Sequence, residues 1–173
     1  YYSRSGNPTR RALEECLAAL EGGTRGFALG TGMAAEATAL ALLQAGDHLI
    51  VHDDLYGGTY RIVTSFTAKQ GVAVEFVNLR DLDALRAALR PETRLIWTET
   101  PTNPLMNLLD LEAIAAIAKE AGILTLCDNT FLSPYLQNPL ALGIDIVLHS
   151  TTKYINGHSD VVGGALVVKD AEL

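Results

Sequence analysis

Lys153 is the residue of this sequence whose type and position suggest covalent chemistry. It lies in the segment 150–154, Ser-Thr-Thr-Lys-Tyr, directly after the apolar run 144–149. Asp128 closes another apolar run, 123–127. Apolar runs of this length predict buried strands, so we expect both side chains at strand ends. An amine that condenses with an aldehyde and a carboxylate that pairs with a protonated ring nitrogen suggest pyridoxal phosphate, with the hydroxyls holding its phosphate.

Each of the two residues also has an ordinary interpretation. Taken alone, Asp128 is typical of a turn and Lys153 is typical of a solvated surface. The sequence contains only four lysines, however, and Lys153 is the one that follows a run of hydroxyl residues. A free lysine has a pKa of about 10.4. Burial near positive charge would therefore be needed to make this amine usable at neutral pH.

A glycine-containing turn, 30–33, offers a second chemical feature. It stands between a predicted strand and a predicted helix, where glycine lets a phosphate approach the backbone and the helix supplies free N–H groups. A plain turn explains the pattern equally well. A nicotinamide-binding fingerprint fits poorly, because its third glycine would fall at Ala35. Tyr56, in the loop 53–58, could stack on an aromatic cofactor or simply pack on a neighbouring residue.

A metal site is a further alternative. His149 and His158 lie in the sequence near Lys153, and Asp128 and Asp160 could act with them as ligands. No H-x-x-x-H or H-E-x-x-H pair occurs, however. The sequence therefore does not favour a metal.

These residues are positioned by strands and helices that alternate almost throughout. We predict strands at 27–29, 48–52, 72–77, 95–98, 123–128, 144–149 and 164–168, and helices at 8–21, 33–43, 59–69, 82–89 and 111–121. The segment 99–104 contains two prolines and cannot be regular structure. The alternation predicts an α/β fold in one domain, with a mainly parallel sheet covered by helices on both faces. The polar segments would meet in a crevice at the carboxyl ends of the strands.

The composition restricts the class of protein. The chain has 173 residues, 49% of them hydrophobic, which is typical of a globular domain with a core. A net charge of −7 disfavours nucleic acid or an anionic membrane as the main partner. No apolar stretch is long enough to span a bilayer, and the N-terminus lacks the features of a signal peptide. Cys16 and Cys127 lie in apolar patterns, so we expect buried free thiols and a reducing cytoplasm.

Together these segments resemble the Cys/Met-metabolism family of fold-type I pyridoxal-phosphate enzymes. That family includes cystathionine γ-synthase, cystathionine γ-lyase, methionine γ-lyase and O-acylhomoserine sulfhydrylase. The resemblance covers essentially the whole chain, with matching motifs at 2–9, 54–59, 99–104, 128–131 and 149–160.

The resemblance implies roles for individual residues. Lys153 would form the Schiff base and move protons, and Tyr56 would stack on the cofactor ring as its partner in catalysis. The implied cofactor-binding residues are Tyr2, Arg4, Gly32, Met33, Tyr56, Asn103, Asp128, Ser150, Thr152 and Lys153. Asp128 would pair with the pyridinium, and Gly32, Met33, Ser150 and Thr152 would hold the phosphate. Tyr2 and Arg4 would reach the neighbouring subunit's cofactor, which implies a homodimer or a homotetramer.

The implied activity is γ-elimination or γ-replacement on a small amino-acid substrate, cystathionine or an O-acylhomoserine. Gly58 and Ser159 depart from the usual methionine γ-lyase pattern, so we favour a cystathionine γ-lyase or γ-synthase, and between these two the choice stays open. O-acylhomoserine sulfhydrylase and methionine γ-lyase remain alternatives, and a binding-only module and a nicotinamide oxidoreductase are more remote ones. Family members are more than twice as long. We therefore expect 1–173 to be part of the large domain, without the N-terminal arm and the C-terminal domain that supplies a substrate-binding arginine.

Overall fold

The computed structural model describes residues 2–173. Seven strands form a single sheet: β1 (Arg25–Leu29), β2 (His48–His52), β3 (Ala73–Val77), β4 (Thr93–Glu99), β5 (Leu124–Asp128), β6 (Ile146–His149) and β7 (Gly164–Val168). Their order across the sheet is β1-β7-β6-β5-β4-β2-β3. β7 runs antiparallel to both of its neighbours, β1 and β6, and the other neighbouring strands pair in parallel. The predicted α/β fold with a mainly parallel sheet is confirmed.

Six α-helices connect or flank the strands: α1 (Pro8–Glu21), α2 (Gly32–Leu40), α3 (Gly57–Ile62), α4 (Leu82–Ala88), α5 (Leu111–Glu120) and α6 (Ser133–Leu136). Polar side chains cap the starts of α1, α2, α4 and α5, as when the Asn7 side chain accepts hydrogen bonds from the N–H groups of Thr9 and Arg10. The helix predicted at 59–69 is only partly regular. After α3 the chain continues as a π-helical turn, 63–67, and a 3₁₀ turn, 68–70.

The strands between the two edge strands are buried on both faces. Leu49 and Val51 belong to one hydrophobic cluster together with Ala39 of α2, while Ile50 between them belongs to the opposite cluster together with Ile114 of α5. Successive side chains of a strand point to opposite faces, so an unbroken apolar run is what a sheet covered on both sides requires. Helices on both faces hold the carboxyl ends of the parallel strands at one edge.

The direction of β7 was not predicted. A parallel partner for β6 would require a crossover back to the far edge of the sheet, usually by a helix. The connection between His149 and Gly164 contains only turns and loop. The chain therefore leaves β6 and enters β7 at the same edge, and the segment that carries Lys153 stays there.

The burial predicted for Cys16 is wrong. Cys127 is buried in β5, but Cys16 is exposed on α1. The helix packs against β1 and β7 through Leu17 and Ala18, while Leu20 is 53% exposed. The apolar residues of α1 therefore cover a wider side of the helix than the side that packs on the sheet, and Cys16 and Leu20 lie on the part that stays exposed.

Candidate active site

A cleft of about 220 Å³ lies at the carboxyl edge of the sheet. Its lining comes from the ends of four strands and from the beginning of α2: Thr31, Gly32, Met33, Glu36, Tyr56, Glu99, Pro101, Asn103, Asp128, Thr130, Phe131, Leu148, Ser150, Thr152, Lys153 and Val162. All the predicted site residues except Tyr2 and Arg4 are among them. The crevice expected at the carboxyl ends of the strands is therefore present.

Asp128 is fixed at the end of β5. Its Oδ1 accepts hydrogen bonds from the backbone N–H of Thr130, at 3.0 Å, and from the Thr130 hydroxyl. The Thr130 hydroxyl oxygen in turn accepts from the N–H of Ser150 at 2.9 Å. Burial raises the pKa of Asp128, and the bonds from Thr130 oppose that rise. Oδ2 makes no hydrogen bond within residues 2–173, so it can accept one from a bound molecule.

Close packing brings the beginning of α2 against the end of β6. A Cβ added at Gly32 would lie 2.8 Å from Ser150 Cβ and 3.0 Å from Ser150 Oγ. Across the turn, a Cβ at Gly164 would lie 2.0 Å from the carbonyl oxygen of Thr31. The first N–H groups of a helix have no partner within it, so Gly32 and Met33 present theirs beside Ser150. This arrangement suits an anion such as a phosphate.

Thr152 and Lys153 lie in the turn after β6. The Thr152 hydroxyl donates to the carbonyl of Gly163, at 3.2 Å, and accepts from the N–H of Gly163, at 3.0 Å. The Thr152 hydroxyl proton is thus already donated to the backbone, so this hydroxyl is less available to a phosphate than that of Ser150. Lys153 is exposed at the cleft. The burial that an activated amine requires is not supplied by residues 2–173.

Tyr56 stands at the mouth of the cleft with its side chain 42% exposed. The ring packs close to Gly58 and Met33: a Cβ added at Gly58 would lie 2.3 Å from Tyr56 Cε1 and 2.8 Å from Met33 Sδ. A larger residue at 58 would therefore require the Tyr56 ring to shift. Gly58, one of the two residues by which we disfavour a methionine γ-lyase, thus contacts Tyr56, the residue predicted to stack on the cofactor.

Sequence reasoning missed two buried carboxyl groups in the cleft, Glu36 and Glu99. Burial, and next the charge of Asp128, raise the pKa of Glu36 to about 7 and that of Glu99 to about 8. Both had a signal in the sequence. Glu36 is the only charged residue of the predicted helix 33–43, and Glu99 begins the proline-containing segment to which Asn103 belongs.

Tyr2 and Arg4 lie outside the cleft. The guanidinium carbon of Arg4 is 5.0 Å from the centroid of the Tyr2 ring, and both residues are exposed. Their predicted contact with a neighbouring subunit's cofactor stays a prediction.

The histidines considered as metal ligands have other partners. His149 Nε2 lies 2.5 Å from Glu21 Oε1, with both side chains buried, and His158 Nδ1 lies 2.7 Å from the carbonyl oxygen of Asn156. Within residues 2–173 no three His, Cys, Asp or Glu side chains are grouped closely enough to hold a metal ion.

Comparison with known proteins identifies the family. A family model described as "Cys/Met metabolism PLP-dependent enzyme" matches residues 1–173. The chain belongs to this family. The match favours pyridoxal phosphate (PLP) over the nicotinamide alternative.

Relatives of the family with several activities are similar to the chain. A cystathionine β-lyase of Bacillus subtilis is 54% identical over 172 residues, which are 99% of this chain and 44% of the relative. A cystathionine γ-synthase of Mycobacterium tuberculosis is 56% identical over 173 residues, covering 99% and 45%. The crystal structure of a cystathionine γ-lyase from Lactobacillus plantarum, complexed with L-serine, has a TM-score of 0.98 and 50% identity, covering 99% and 45%. The chain thus spans about half the length of these relatives.

The cleft fits the cofactor of this PLP-dependent family. The free Oδ2 of Asp128 suits a protonated ring nitrogen, and the close approach of Gly32 to Ser150 suits a phosphate. Glu36 and Glu99 add two buried carboxyl groups, and a cationic ring would stabilise their negative charge. In the part of the chain described, no helix is long and apolar enough to cross a bilayer.

Proposed function

We propose that this chain is the cofactor-binding part of a PLP-dependent enzyme of transsulfuration, acting on cystathionine or an O-acylhomoserine. The observation that carries the proposal is the meeting of Lys153 and Asp128 in one cleft, beside the close approach of Gly32 to Ser150. The similarity to lyases and synthases that act on cystathionine supports the substrate class. The sulfhydrylase and methionine γ-lyase reactions are alternatives within the same chemistry.

When bound, PLP supplies an aldehyde that condenses with amines and a ring that accepts electrons from the substrate. Asp128 Oδ2 would accept the ring N–H, with its orientation fixed by Thr130. The N–H groups of Gly32 and Met33, with the Ser150 hydroxyl and, on release from Gly163, the Thr152 hydroxyl, would hold the phosphate. These contacts would set the ring at a fixed depth in the cleft.

The remaining residues act on orientation and on protons. The Tyr56 ring would cover one face of the cofactor, and the Asn103 amide would contact its ring oxygen. Lys153 Nζ, on an exposed turn, is free to move and can carry protons between substrate carbons. Its exposure in residues 2–173 means that the bound cofactor, substrate or a second subunit would have to exclude water there.

Reduction with borohydride tests the site. In the full-length protein incubated with PLP, borohydride should fix the cofactor covalently on Lys153, as read by peptide mass spectrometry. A Lys153→Ala variant should remain unlabelled, and a Lys119→Ala variant serves as a matched control that keeps the label. Labelling of a different lysine, or of none, would reject the assignment.

Product analysis separates the reactions. Formation of 2-oxobutyrate and cysteine from cystathionine indicates a γ-lyase, and formation of pyruvate and homocysteine indicates a β-lyase. Cystathionine made from O-succinylhomoserine and cysteine indicates a γ-synthase. Cofactor labelling without turnover of these substrates, and without turnover of methionine or of an O-acylhomoserine plus sulfide, would favour the binding-only alternative.

The quaternary structure and location are parts of the same proposal. Tyr2 and Arg4 are exposed and lie outside the cleft, as expected of residues that act on a neighbouring subunit's cofactor in a homodimer or homotetramer. Cys16 and Cys127 are both free, which is compatible with the reducing cytoplasm.

A further inference from the structure

Glu99 joins two loops that line the cleft. Its Oε2 accepts a hydrogen bond from the backbone N–H of Tyr56 at 2.8 Å, and its Oε1 accepts one from the backbone N–H of Asn103 at 2.8 Å. Tyr56 follows β2, and Asn103 follows β4. We infer that Glu99 is a positioning residue that sets Tyr56 and Asn103 together against the cofactor, an inference that rests on the proposed function.

The two bonds need a carboxyl group. Two N–H donors that converge on one side chain require an acceptor at each end, and a glutamine would offer one acceptor and turn its own N–H groups toward the other donor. Glu99 is 5% exposed, so water cannot readily replace a lost acceptor there. The distance between the two loops is therefore set by the length of this side chain and by its two acceptor oxygens.

The electrostatic environment opposes a carboxylate at this position. Burial and the charge of Asp128 raise the pKa of Glu99 to about 8, and Glu36 acts in the same direction. A neutral side chain would be easier to bury. Glu99 is nevertheless buried in the cleft, and both of its oxygens accept hydrogen bonds from loops that carry predicted cofactor contacts. This arrangement indicates a role in the site and not only in the fold.

Asp54 provides a matched control within the same pair of loops. Its Oδ2 accepts from the Thr102 hydroxyl and from the side-chain amide of Asn107, the latter at 3.1 Å. Asp54 is 9% exposed, close to the value for Glu99, and neither it nor its partners line the cleft. Asp54→Asn should therefore weaken the hydrogen bonds between the two loops and leave those that Glu99 accepts from the backbone of Tyr56 and Asn103 in place.

The test compares the full-length wild type with Glu99→Gln and Asp54→Asn. We measure the melting temperature of the cofactor-free protein, the dissociation constant of PLP, and the circular dichroism of the bound cofactor's absorption band, which reports ring orientation. Both variants should melt at lower temperature. At pH 9, above the pKa of about 8 at which Glu99 ionises, only Glu99→Gln should change the circular dichroism and weaken PLP binding, by about tenfold for the loss of one charge-assisted bond.

A second variant keeps the inference testable if Glu99→Gln does not fold. Glu99→Asp keeps the charge but is one methylene too short to reach both N–H groups, so it should show the same cofactor signature in weaker form. Variants of Glu99 with wild-type affinity and circular dichroism, or an equal change in Asp54→Asn, overturn the inference. Failure of the wild type to bind PLP overturns the proposed function itself, and is recognised without any variant.

Discussion

Glu36 shows how the fold changes the chemistry of a single side chain. It lies in α2, is 2% exposed, and faces the cleft. Its Oε1 accepts a hydrogen bond from the Thr59 hydroxyl at 3.1 Å, whereas Oε2 is buried without a partner within residues 2–173. Burial and the neighbouring Asp128 raise its pKa to about 7, so the folded protein binds a proton here more tightly than the unfolded chain does.

Substituting Glu36 should therefore alter the pH dependence of stability. A raised carboxyl pKa contributes stability that is fully present below the unfolded value of 4.5 and is lost as the pH rises through about 7. The free energy of unfolding of cofactor-free Glu36→Gln, relative to wild type, should increase by about 3 kcal/mol from acidic to mildly alkaline pH.

Urea unfolding of both proteins across this pH range measures the difference. Glu120→Gln, on the exposed end of α5, is the control and should leave the slope unchanged. Identical slopes for Glu36→Gln and wild type would contradict the assignment.

At the scale of elements, the site depends on how closely α2 approaches β6. The beginning of α2 is also held by its own cap, since the Thr31 hydroxyl oxygen accepts from the N–H of Ala34 at 2.9 Å. Gly32 allows the approach because its missing Cβ leaves room for Ser150, including the backbone Cα at 3.1 Å. A backbone atom cannot move aside as a flexible side chain can, so the two elements would have to separate.

Gly32→Ala should push the beginning of α2 away from Ser150 and weaken PLP binding by about tenfold or more, through the overpacking that added methyl groups cause in tight contacts. Equilibrium dialysis with PLP measures the change. Gly30→Ala is the matched control, because an added Cβ at Gly30 meets nothing within 4 Å. Equal losses in the two variants would show that the close approach is not what matters.

At the scale of the whole molecule, the chain spans about half the length of its relatives, and Tyr2 and Arg4 lie outside its own cleft. If these residues complete a neighbouring subunit's site, two different inactive subunits can restore one another. A subunit with Lys153→Ala retains Arg4, and a subunit with Arg4→Ala retains Lys153.

Mixing full-length Lys153→Ala and Arg4→Ala subunits by unfolding and refolding should recover about one quarter of wild-type activity, because half of the dimers contain one intact site of two. Mixing Lys153→Ala with Asp128→Ala is the control. These two changes affect the same cleft, so a mixed dimer contains no intact site. No recovery in the first mixture would show that Arg4 does not act across a subunit interface.

The sequence predicts those features of the fold that depend on residues close together along the chain. Strands such as His48–His52 and Gly164–Val168 match their predicted bounds, because apolar runs and nearby turn residues are local signals. The cap at Asn7 is likewise local. The positions of Asp128 and Lys153 at one edge follow from the alternation of strands and helices.

Tertiary structure alone decided what depends on segments far apart in the chain. The direction of β7 depends on the connection after β6, which stays at the carboxyl edge of the sheet and does not cross back to the opposite edge. The exposure of Cys16 depends on which side of α1 packs against the sheet. The grouping of Glu36 and Glu99 with Asp128 requires three separate elements to pack together. By itself the sequence predicted which ionisable residues line the cleft, apart from Glu36 and Glu99. Packing decided their burial, hydrogen bonds and pKa, because those arise only between residues that folding brings into contact.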